Sequence, residues 1–235
     1  MALILNIETS TKNCSVALSR NGVVLAWRES EEGNDHAAKT AVFVEEVLSE
    51  AGRKAEELDA VAVGKGPGSY TGLRIGVSTA KGLAYGLGKP LLAVSPLQAM
   101  AMESIRRVSE EGVLEPDSVF CAMTDAGRME VYAALYDAQG KELRPVEAVI
   151  LDSDSYSGYW QKADMFFAGN ACAKCRTVLT SPRIRFYPDI HPSARYMPLL
   201  SERAFQESRF EDLAYFEPFY LKDFIAGKPH VKGLN

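Results

Sequence analysis

The chain has 235 residues, of which 47% are hydrophobic and 24% are charged, and its formal net charge is −5. This length and composition are typical of one large globular domain or two modest ones. The acidic balance argues against direct binding of nucleic acid, and no apolar run approaches the length of a membrane span.

The first half of the chain predicts three strands followed by alternating helices and strands. The first ten residues lack the basic segment of a signal peptide and predict a strand. Asn21-Gly22 is a typical hairpin turn, and Ser95 should cap a helix that starts at Pro96. The predicted strands cover 3–7, 14–19, 23–28, 61–63 and 91–94, and the predicted helices run from a cap at Asn34-Asp35 to about 51, from about 69 to 87, and from 96.

The second half opens with a similar three-stranded pattern, after a predicted domain boundary within residues 110–117. Its predicted strands cover 119–123, 130–136, 146–151, 165–168 and 184–187, and its predicted helices cover 171–180 and 193–205. Two halves with this order suggest duplication of one unit, as in the actin-like, ribonuclease H-like fold. We therefore predict an α/β protein with mixed sheets flanked by helices and two domains, residues 1–110 and 111–235.

Residues 61–88 form the most distinctive stretch, in which a short apolar strand, a glycine-rich turn and a long helix follow one another. This order points backbone N–H groups towards an anion. However, no lysine follows Gly68 as a Walker A loop requires, and Ser69 stands where the dinucleotide fingerprint needs its third glycine. We therefore favour a tight turn with Ser69 or Thr71 as the N-cap of the helix.

The predicted helix after this turn contains Gly72, Gly76, Gly82 and Gly86. Each should cost about 1 kcal/mol relative to alanine, so a packing reason is expected. Small and apolar residues surround most of the helix and leave a narrow polar strip, which predicts burial on two sides. One side should be its own sheet. The other is either a closely packed helix of a partner or another part of the same domain.

The four cysteines favour a reducing, cytoplasmic compartment. Cys14 and Cys121 lie in apolar, strand-like surroundings and are expected to be buried thiols. Cys172 and Cys175 have CxxC spacing, but no second CxxC or paired histidine follows. A pair of small helical side chains is therefore favoured over a zinc site, and the role of this pair stays open.

Three stretches resemble the bacterial TsaB family, also called YeaZ. Residues 64–76, GKGPGSYTGLRIG, carry a highly specific run of glycine, proline and an aromatic residue. Residues 125–132 are similar to the family's Asp-Ala-Arg-x-x-Glu-Val-Tyr stretch, displaced by one residue. Residues 217–222 are similar to its Glu-Pro-x-Tyr-Leu-Arg tail, with Lys222 where arginine is usual. That change removes any bidentate contact that the arginine would make.

The resemblance implies the actin-like fold and a non-catalytic subunit that uses no cofactor and binds TsaD, the catalytic sister protein. TsaE, an ATPase, and TsaC, which makes the threonylcarbamoyl-adenylate donor, complete the system. Together they attach threonylcarbamoyl to the tRNA adenosine next to the anticodon. This chain would meet tRNA only indirectly, through the complex, in agreement with its acidic charge.

We predict that the partner interface uses the helices of residues 36–51 and 70–87, packed against two helices of a similarly folded protein. The same surface should support a homodimer when the partner is absent, because sister folds offer similar patches. The predicted interface residues are His36, Thr40, Phe43, Val44, Val47, Tyr70, Leu73, Gly76, Val77, Ala80 and Ala84.

The first hairpin turn of each half binds phosphates in sugar kinases and chaperones of the actin-like class. The corresponding turns here contain Glu8 and Asp125, whose carboxylates we expect to accept hydrogen bonds from local backbone N–H groups. The purine-binding run is expected near 166–171, where only one glycine is present, so ATP turnover is not expected. An ATP-dependent kinase is the alternative function. The residues of these degenerate nucleotide loops are Thr9, Ser10, Thr11, Asp125, Gly127 and Gly169.

A metallopeptidase is a third, weaker hypothesis. The sister family TsaD binds metal through His-x-x-x-His, which places two ligands on one helix face. Here Thr40 stands where the motif that begins at His36 needs its second histidine, so no metal is expected. His36 should therefore face solvent or a partner. His191 and His230 are isolated, and Ser69 lies neither in a nucleophile elbow nor near a histidine base.

Overall fold

A computed structural model describes residues 2–32 and 35–222. Within these residues, no helix is long and apolar enough to cross a membrane. The strands are β1 (Leu3–Glu8), β2 (Cys14–Arg20), β3 (Val23–Ser30), β4 (Ala60–Gly64), β5 (Leu91–Val94), β6 (Val119–Asp125), β7 (Glu130–Tyr136), β8 (Glu142–Ile150), β9 (Met165–Ala168) and β10 (Ile184–Tyr187). The α-helices are α1 (His36–Glu50), α2 (Tyr70–Leu87), α3 (Pro96–Glu110), α4 (Ser157–Trp160), α5 (Cys172–Cys175) and α6 (Pro198–Gln206).

The strands form two five-stranded mixed sheets with the same plan. The first has the order β3-β2-β1-β4-β5, and the second has the order β10-β9-β6-β7-β8. In each sheet the first strand of the half pairs antiparallel with the second and parallel with the fourth. This repeated plan confirms the predicted duplicated actin-like fold.

The local signals at turns and helix starts are largely confirmed. Asn21 and Gly22 have φ values of 54° and 76° and connect β2 to β3. Ser69 Oγ caps α2 by accepting a hydrogen bond from a backbone N–H at 3.2 Å, and Ser95 Oγ caps α3 in the same way at 3.3 Å. Asp35 is the N-cap residue of α1, but its side chain makes no capping hydrogen bond, contrary to the prediction. Asn34 lies outside the described residues.

The second half differs from the prediction at three elements. β8 starts at Glu142, four residues before the predicted strand. The helix predicted over 171–180 is the single turn α5, because β-branched residues and a Ser-Pro pair follow it. The helix predicted from 193 begins as a separate 3₁₀ turn, Ala194–Tyr196, and α6 starts only at Pro198, a residue that favours the first helical position.

Two helices pack on the sheet that is formed by the other half of the chain. α3 precedes the boundary at residue 110 but packs on the second sheet, where Met100 and Phe120 share a buried cluster. Conversely, α6 packs on the first sheet, where Ala204 and Leu92 share another. The strands before residue 110 form one sheet and the strands after it form the other. Each sheet buries both faces and is covered on one of them by a helix from the other half of the chain.

Four glycines, spaced four residues apart, pack closely against residues 8–10 at the end of β1. A Cβ atom at Gly64 would overlap the Glu8 carboxylate, and a Cβ atom at Gly68 would overlap the Ser10 carbonyl oxygen. Cβ atoms at Gly72 and Gly76 would overlap the carbonyl oxygen and the hydroxyl of Thr9. Residues 8–10 therefore lie directly on the glycine-rich turn and the first two turns of α2.

These contacts explain the two classes of glycine in α2. Gly72 and Gly76 are buried inside the domain, whereas Cβ atoms at Gly82 and Gly86 would meet nothing within 4 Å. The sequence left open whether the second side of this helix is covered by a partner or by its own domain. The two halves of the helix differ in this respect. The N-terminal glycines admit another part of the same domain, and the C-terminal ones lie on an open surface.

A C-terminal strap, residues 211–222, runs along the first domain. The N–H of Glu211 donates to the Leu91 carbonyl oxygen at 2.9 Å, so the strap begins at the edge strand β5. Leu213 and Phe216 then pack against the core of that domain. The strap therefore covers a sheet edge that would otherwise present unpaired backbone groups.

The end of the strap connects the two domains. Phe219 N donates to the Lys65 carbonyl oxygen at 2.8 Å, and Lys222 Nζ lies 2.5 Å from the Glu130 carboxylate of β7. Glu130 and Lys222 belong to two of the stretches that carry the family resemblance. An ion pair between these side chains therefore joins the two stretches. An ion pair therefore forms at this position although lysine lacks the planar, two-pronged guanidinium group of arginine.

We predict opposite effects for alanine at two glycines of α2. Gly72→Ala should lower the free energy of unfolding by about 1–3 kcal/mol, because its methyl group would collide with a backbone oxygen that has no room to move. Gly82→Ala, the matched control in open space, should raise it by about 1 kcal/mol. Urea denaturation of both variants measures the difference, and equal effects would mean that the contact with residues 8–10 does not constrain the helix.

Candidate functional site

A cleft of about 850 Å³ lies between the two domains. It brings together the N-terminal ends of α1 and α2, the end of the turn after β1, and the loops after β6 and β9. The lining residues are Thr11, Lys12, Asp35, His36, Ala37, Ala38, Ser69, Thr71, Gly72, Ile75, Asp125 and Asn170. Two residues of the predicted nucleotide loops, Thr11 and Asp125, are thus placed on one cavity.

The first predicted nucleotide loop turns most of its polar groups inwards. Thr9 and Ser10 are each 1% exposed, and Thr9 Oγ1 donates to the Gly72 carbonyl oxygen at 2.7 Å. The cleft is reached only by Thr11 and Lys12 from this turn. The Thr9 hydroxyl is therefore bonded to α2, and the Ser10 hydroxyl is buried away from the cleft.

The second predicted nucleotide loop is closed by groups of the protein itself. Asp125 Oδ1 accepts from Gly127 N at 2.7 Å, which confirms the expected local turn, and from Lys174 Nζ at 2.8 Å. Lys174 also donates to the carbonyl oxygens of Arg128 and Glu130 at 2.8 and 2.7 Å. The ammonium group of Lys174 thus fills the loop. No sequence motif predicts this role, because Lys174 is far from the loop along the chain.

The residues at the position expected for a purine-binding run have a structural function. Gly169 has a φ of 131°, and a Cβ atom there would overlap the Met123 carbonyl oxygen. Asn170 Oδ1 accepts from Asp125 N at 2.9 Å. The single glycine therefore allows β9 to approach β6, and its neighbour fixes the second loop.

Glu8 is fully buried at the end of β1. Its Oε1 accepts from Ser10 N at 2.6 Å, which confirms the expected local hydrogen bond, while Oε2 has no partner among the described residues. Burial raises the pKa of the Glu8 carboxyl to about 7, although hydrogen bonds from Ser10 and Thr9 oppose the shift. Glu8 does not line the cleft, so its titration affects the fold rather than a bound ligand.

His36 lies on the wall of the cleft but does not project into bulk solvent, so that part of the prediction is wrong. The side chain is buried, and Nε2 lies 2.8 Å from the Thr11 carbonyl oxygen. Thr40 Oγ1 donates to the His36 carbonyl oxygen at 2.6 Å and is also buried. In residues 2–32 and 35–222, no three His, Cys, Asp or Glu side chains are placed to hold a metal. His230 lies outside these residues.

Most of the predicted interface residues pack within the first domain. Their apolar stripes face the first sheet and the turn after β1, which bury them before any partner can. Phe43 and Tyr70 are partly exposed. The predicted interface residues that are buried in this structure are His36, Thr40, Val44, Val47, Leu73, Gly76, Val77, Ala80 and Ala84.

The outward side of the α1–α2 pair is lined by different residues, many of them small. Val42 is 50% exposed and Tyr85 is 81% exposed. A face of small residues allows another helix to approach closely. The small residues exposed on this face are Ala37, Ala38 and Ala41 on α1, and Ser78, Gly82 and Gly86 on α2.

The CxxC pair lies in the core of the second domain. Both thiols are fully buried, and burial raises the pKa of Cys172 and of Cys175 to about 12. Cys175 Sγ lies 3.3 Å from Met123 Sδ, in apolar surroundings. Thiols in such a site are unreactive packing groups.

Comparisons with known proteins find two related groups, named TsaB and TsaD. The family model "TsaD: tRNA N6-adenosine threonylcarbamoyltransferase" matches residues 30–232. The chain is 31% identical to the tRNA threonylcarbamoyladenosine biosynthesis protein TsaB of Escherichia coli strain K12 over 236 residues, 96% of each chain. It is 34% identical to the tRNA N6-adenosine threonylcarbamoyltransferase of Phocaeicola vulgatus over 144 residues, 55% of this chain and 42% of that one.

A solved structure, YeaZ from Pseudomonas aeruginosa, is also similar to this chain. The two superpose with a TM-score of 0.77 at 31% sequence identity, over 94% of this chain and 100% of the other. The shared fold therefore extends over both domains.

We predict that Glu8 makes the protein less stable as the pH rises. The folded pKa of about 7 exceeds the ordinary value of 4.5, so the stabilisation is complete below pH 4.5 and is lost as the pH rises through 7. The free energy of unfolding should fall by up to about 3 kcal/mol from this group between pH 5 and pH 8. Urea denaturation of wild type and Glu8→Gln at several pH values measures it.

His191 needs a separate control, because its pKa is raised by Glu29 and its contribution is also lost at higher pH. Since His191 titrates in both proteins, the difference between wild type and Glu8→Gln isolates Glu8. A difference that does not change with pH would show that Glu8 is not protonated in the fold.

Proposed function

We propose that this chain, which belongs to the TsaB (YeaZ) family of tRNA threonylcarbamoyladenosine biosynthesis proteins, is a non-catalytic subunit that binds and activates a TsaD-type transferase. Family membership carries the assignment to this tRNA modification. The proposal adds the division of labour, in which the chemistry belongs to the related transferase and this chain contributes a surface.

The hydrogen bonding of the two turns at the cleft is the observation that carries the non-catalytic role. Thr9 donates to α2, and Lys174 occupies the turn that follows β6. A kinase of this fold needs such groups free to contact phosphates. Here a nucleotide would have to displace hydrogen bonds that the protein already makes, at a cost for each buried group left unpaired.

The outward side of the α1–α2 pair supports the partner role. Gly82 and Gly86 leave open space at exposed positions of a helix, although each costs about 1 kcal/mol relative to alanine. Close approach of a partner helix would compensate for this cost. A homologous transferase offers two helices of the same fold, and a second copy of this chain would offer the same face when the transferase is absent.

The remaining members of the complex follow from the family. A TsaE-type ATPase is the proposed third subunit. The net charge of −5 supports a role in which tRNA is held mainly by other subunits, because phosphate neutralisation needs a surplus of lysine and arginine.

We predict that Gly82→Arg abolishes the complex with the TsaD-type protein of the same organism without unfolding this chain. The arginine would stand in solvent in the free protein but would block a closely packed helix. Size-exclusion chromatography with light scattering measures the mass of the mixture, and circular dichroism with a thermal melt confirms the fold.

Ile150→Arg is the matched control, because Ile150 is 73% exposed on β8 of the other domain. Wild type and this control should form a one-to-one heterodimer. A folded Gly82→Arg variant that still forms the heterodimer would place the interface elsewhere. Gly76 and Ala80 are unsuitable for this test, since both are buried.

The volume of the cleft keeps an ATP-dependent kinase as a second candidate, since about 850 Å³ is large enough for a nucleotide. We expect no release of phosphate when ATP and a divalent cation are added to the purified chain, because both turns are closed. Phosphate release that is lost in a Thr11→Val variant, with Thr177→Val as a surface control, would favour the kinase instead.

A further inference from the structure

A second cavity, of about 330 Å³, lies between β3, α3 and the 3₁₀ turn Ala194–Tyr196. It shares no lining residue with the interdomain cleft. Trp27 and Tyr196 provide its aromatic walls. Its charged lining consists of three guanidinium groups and one carboxylate, from Arg106, Arg107, Arg195 and Glu103.

Arg195 is held by stacking rather than by an acid. Its guanidinium carbon lies 4.8 Å from the ring centroid of Trp27 and 4.8 Å from that of Tyr196. Nη2 donates to the Tyr196 hydroxyl at 2.7 Å, whereas Nε is buried without an acceptor. Among the described residues, no carboxylate lies within ion-pair distance of Arg195. A guanidinium has five N–H donors, so most of its capacity is unused.

The other two arginines are positioned by acids. Glu103 lies 2.8 Å from Arg106 and 3.0 Å from Arg107. Arg106 also pairs with Glu110, and Arg107 pairs with Asp189. These ion pairs hold both guanidinium groups at the cavity while neutralising their charge. Arg195 is therefore the guanidinium group of this cavity that has no ion-pair partner among the described residues.

Glu29, an acidic neighbour of Arg195, already has other hydrogen-bond partners. Glu29 accepts a hydrogen bond from Ser193 and lies 3.4 Å from the His191 ring. Burial favours the neutral form of Glu29, but the contacts with His191 and Ser193 and the charge of Arg195 outweigh it and lower the pKa of Glu29 to about 2. Glu29 is therefore charged, but it makes no ion pair with Arg195 and accepts none of its N–H groups.

We propose that the Arg195 pocket, defined by Trp27, Arg106, Arg107, Arg195 and Tyr196, binds an anionic oxygen acid, either a carboxylate or a phosphate group. The planar guanidinium fork matches both groups in geometry and charge. Trp27, which is 41% exposed, lines the same cavity. The size of the cavity limits the ligand to a small molecule or one residue of a larger one.

Tryptophan fluorescence provides a local test. The chain has two tryptophans, and Trp160→Phe leaves Trp27 as the single reporter. This protein is titrated separately with inorganic phosphate and with succinate, with chloride replaced to hold the ionic strength constant. A saturable change with one of the two anions, and none with chloride, is expected, and the anion that binds identifies the ligand class.

Variants then assign the site. Arg195→Gln should weaken binding by about tenfold or more, because a charge-assisted contact is lost. Arg195→Lys, which keeps the charge but not the fork, should weaken it less and serves if the glutamine variant does not fold. Arg144→Gln, on the exposed surface of β8, should bind as wild type. No saturable change with either anion, or unchanged affinity in the Arg195 variants, would overturn the proposal.

Discussion

The close contact between residues 8–10 and the glycines that begin α2 is the constraint on which the rest of the structure depends. It sets the distance between β1 and α2, because a side chain at Gly72 or Gly76 would push the helix away from the sheet. It also buries the hydroxyls of Thr9 and Ser10. One set of contacts therefore fixes the core of the first domain and occupies the turn that binds phosphate in related folds.

The second domain reaches a similar result with different chemistry. There the ammonium group of Lys174 lies among the carbonyl oxygens after β6 and neutralises Asp125. Both turns at the cleft are thus ordered without a ligand. The opposite side of α2 carries exposed glycines, so the same helix is tightly packed on one face and open on the other. This division separates the part of the chain that maintains the fold from the part available to another protein.

The sequence predicted the strands, the N-caps Ser69 and Ser95 and the duplicated plan, since these depend on local periodicity and turn chemistry. It also located the glycine-rich stretch that anchors the site. It failed for His36 and for the buried stripes of α1 and α2, because periodicity shows that a face is apolar but not whether its own sheet or another protein covers it. Lys174 could not be found either, since its partners are about fifty residues away and no spacing rule connects them.

The exchange of α3 and α6 between the sheets has a consequence for synthesis on the ribosome. The first sheet emerges early, but the helix that covers its second face and the strap that closes β5 follow the whole second sheet along the chain. The amino-terminal half must therefore wait with one apolar face uncovered while the carboxyl-terminal half is made. Its completion depends on contacts of long sequence separation, which form slowly. Until those late elements are made, apolar residues such as Ile4 and Leu92 lack part of their packing in the nascent chain.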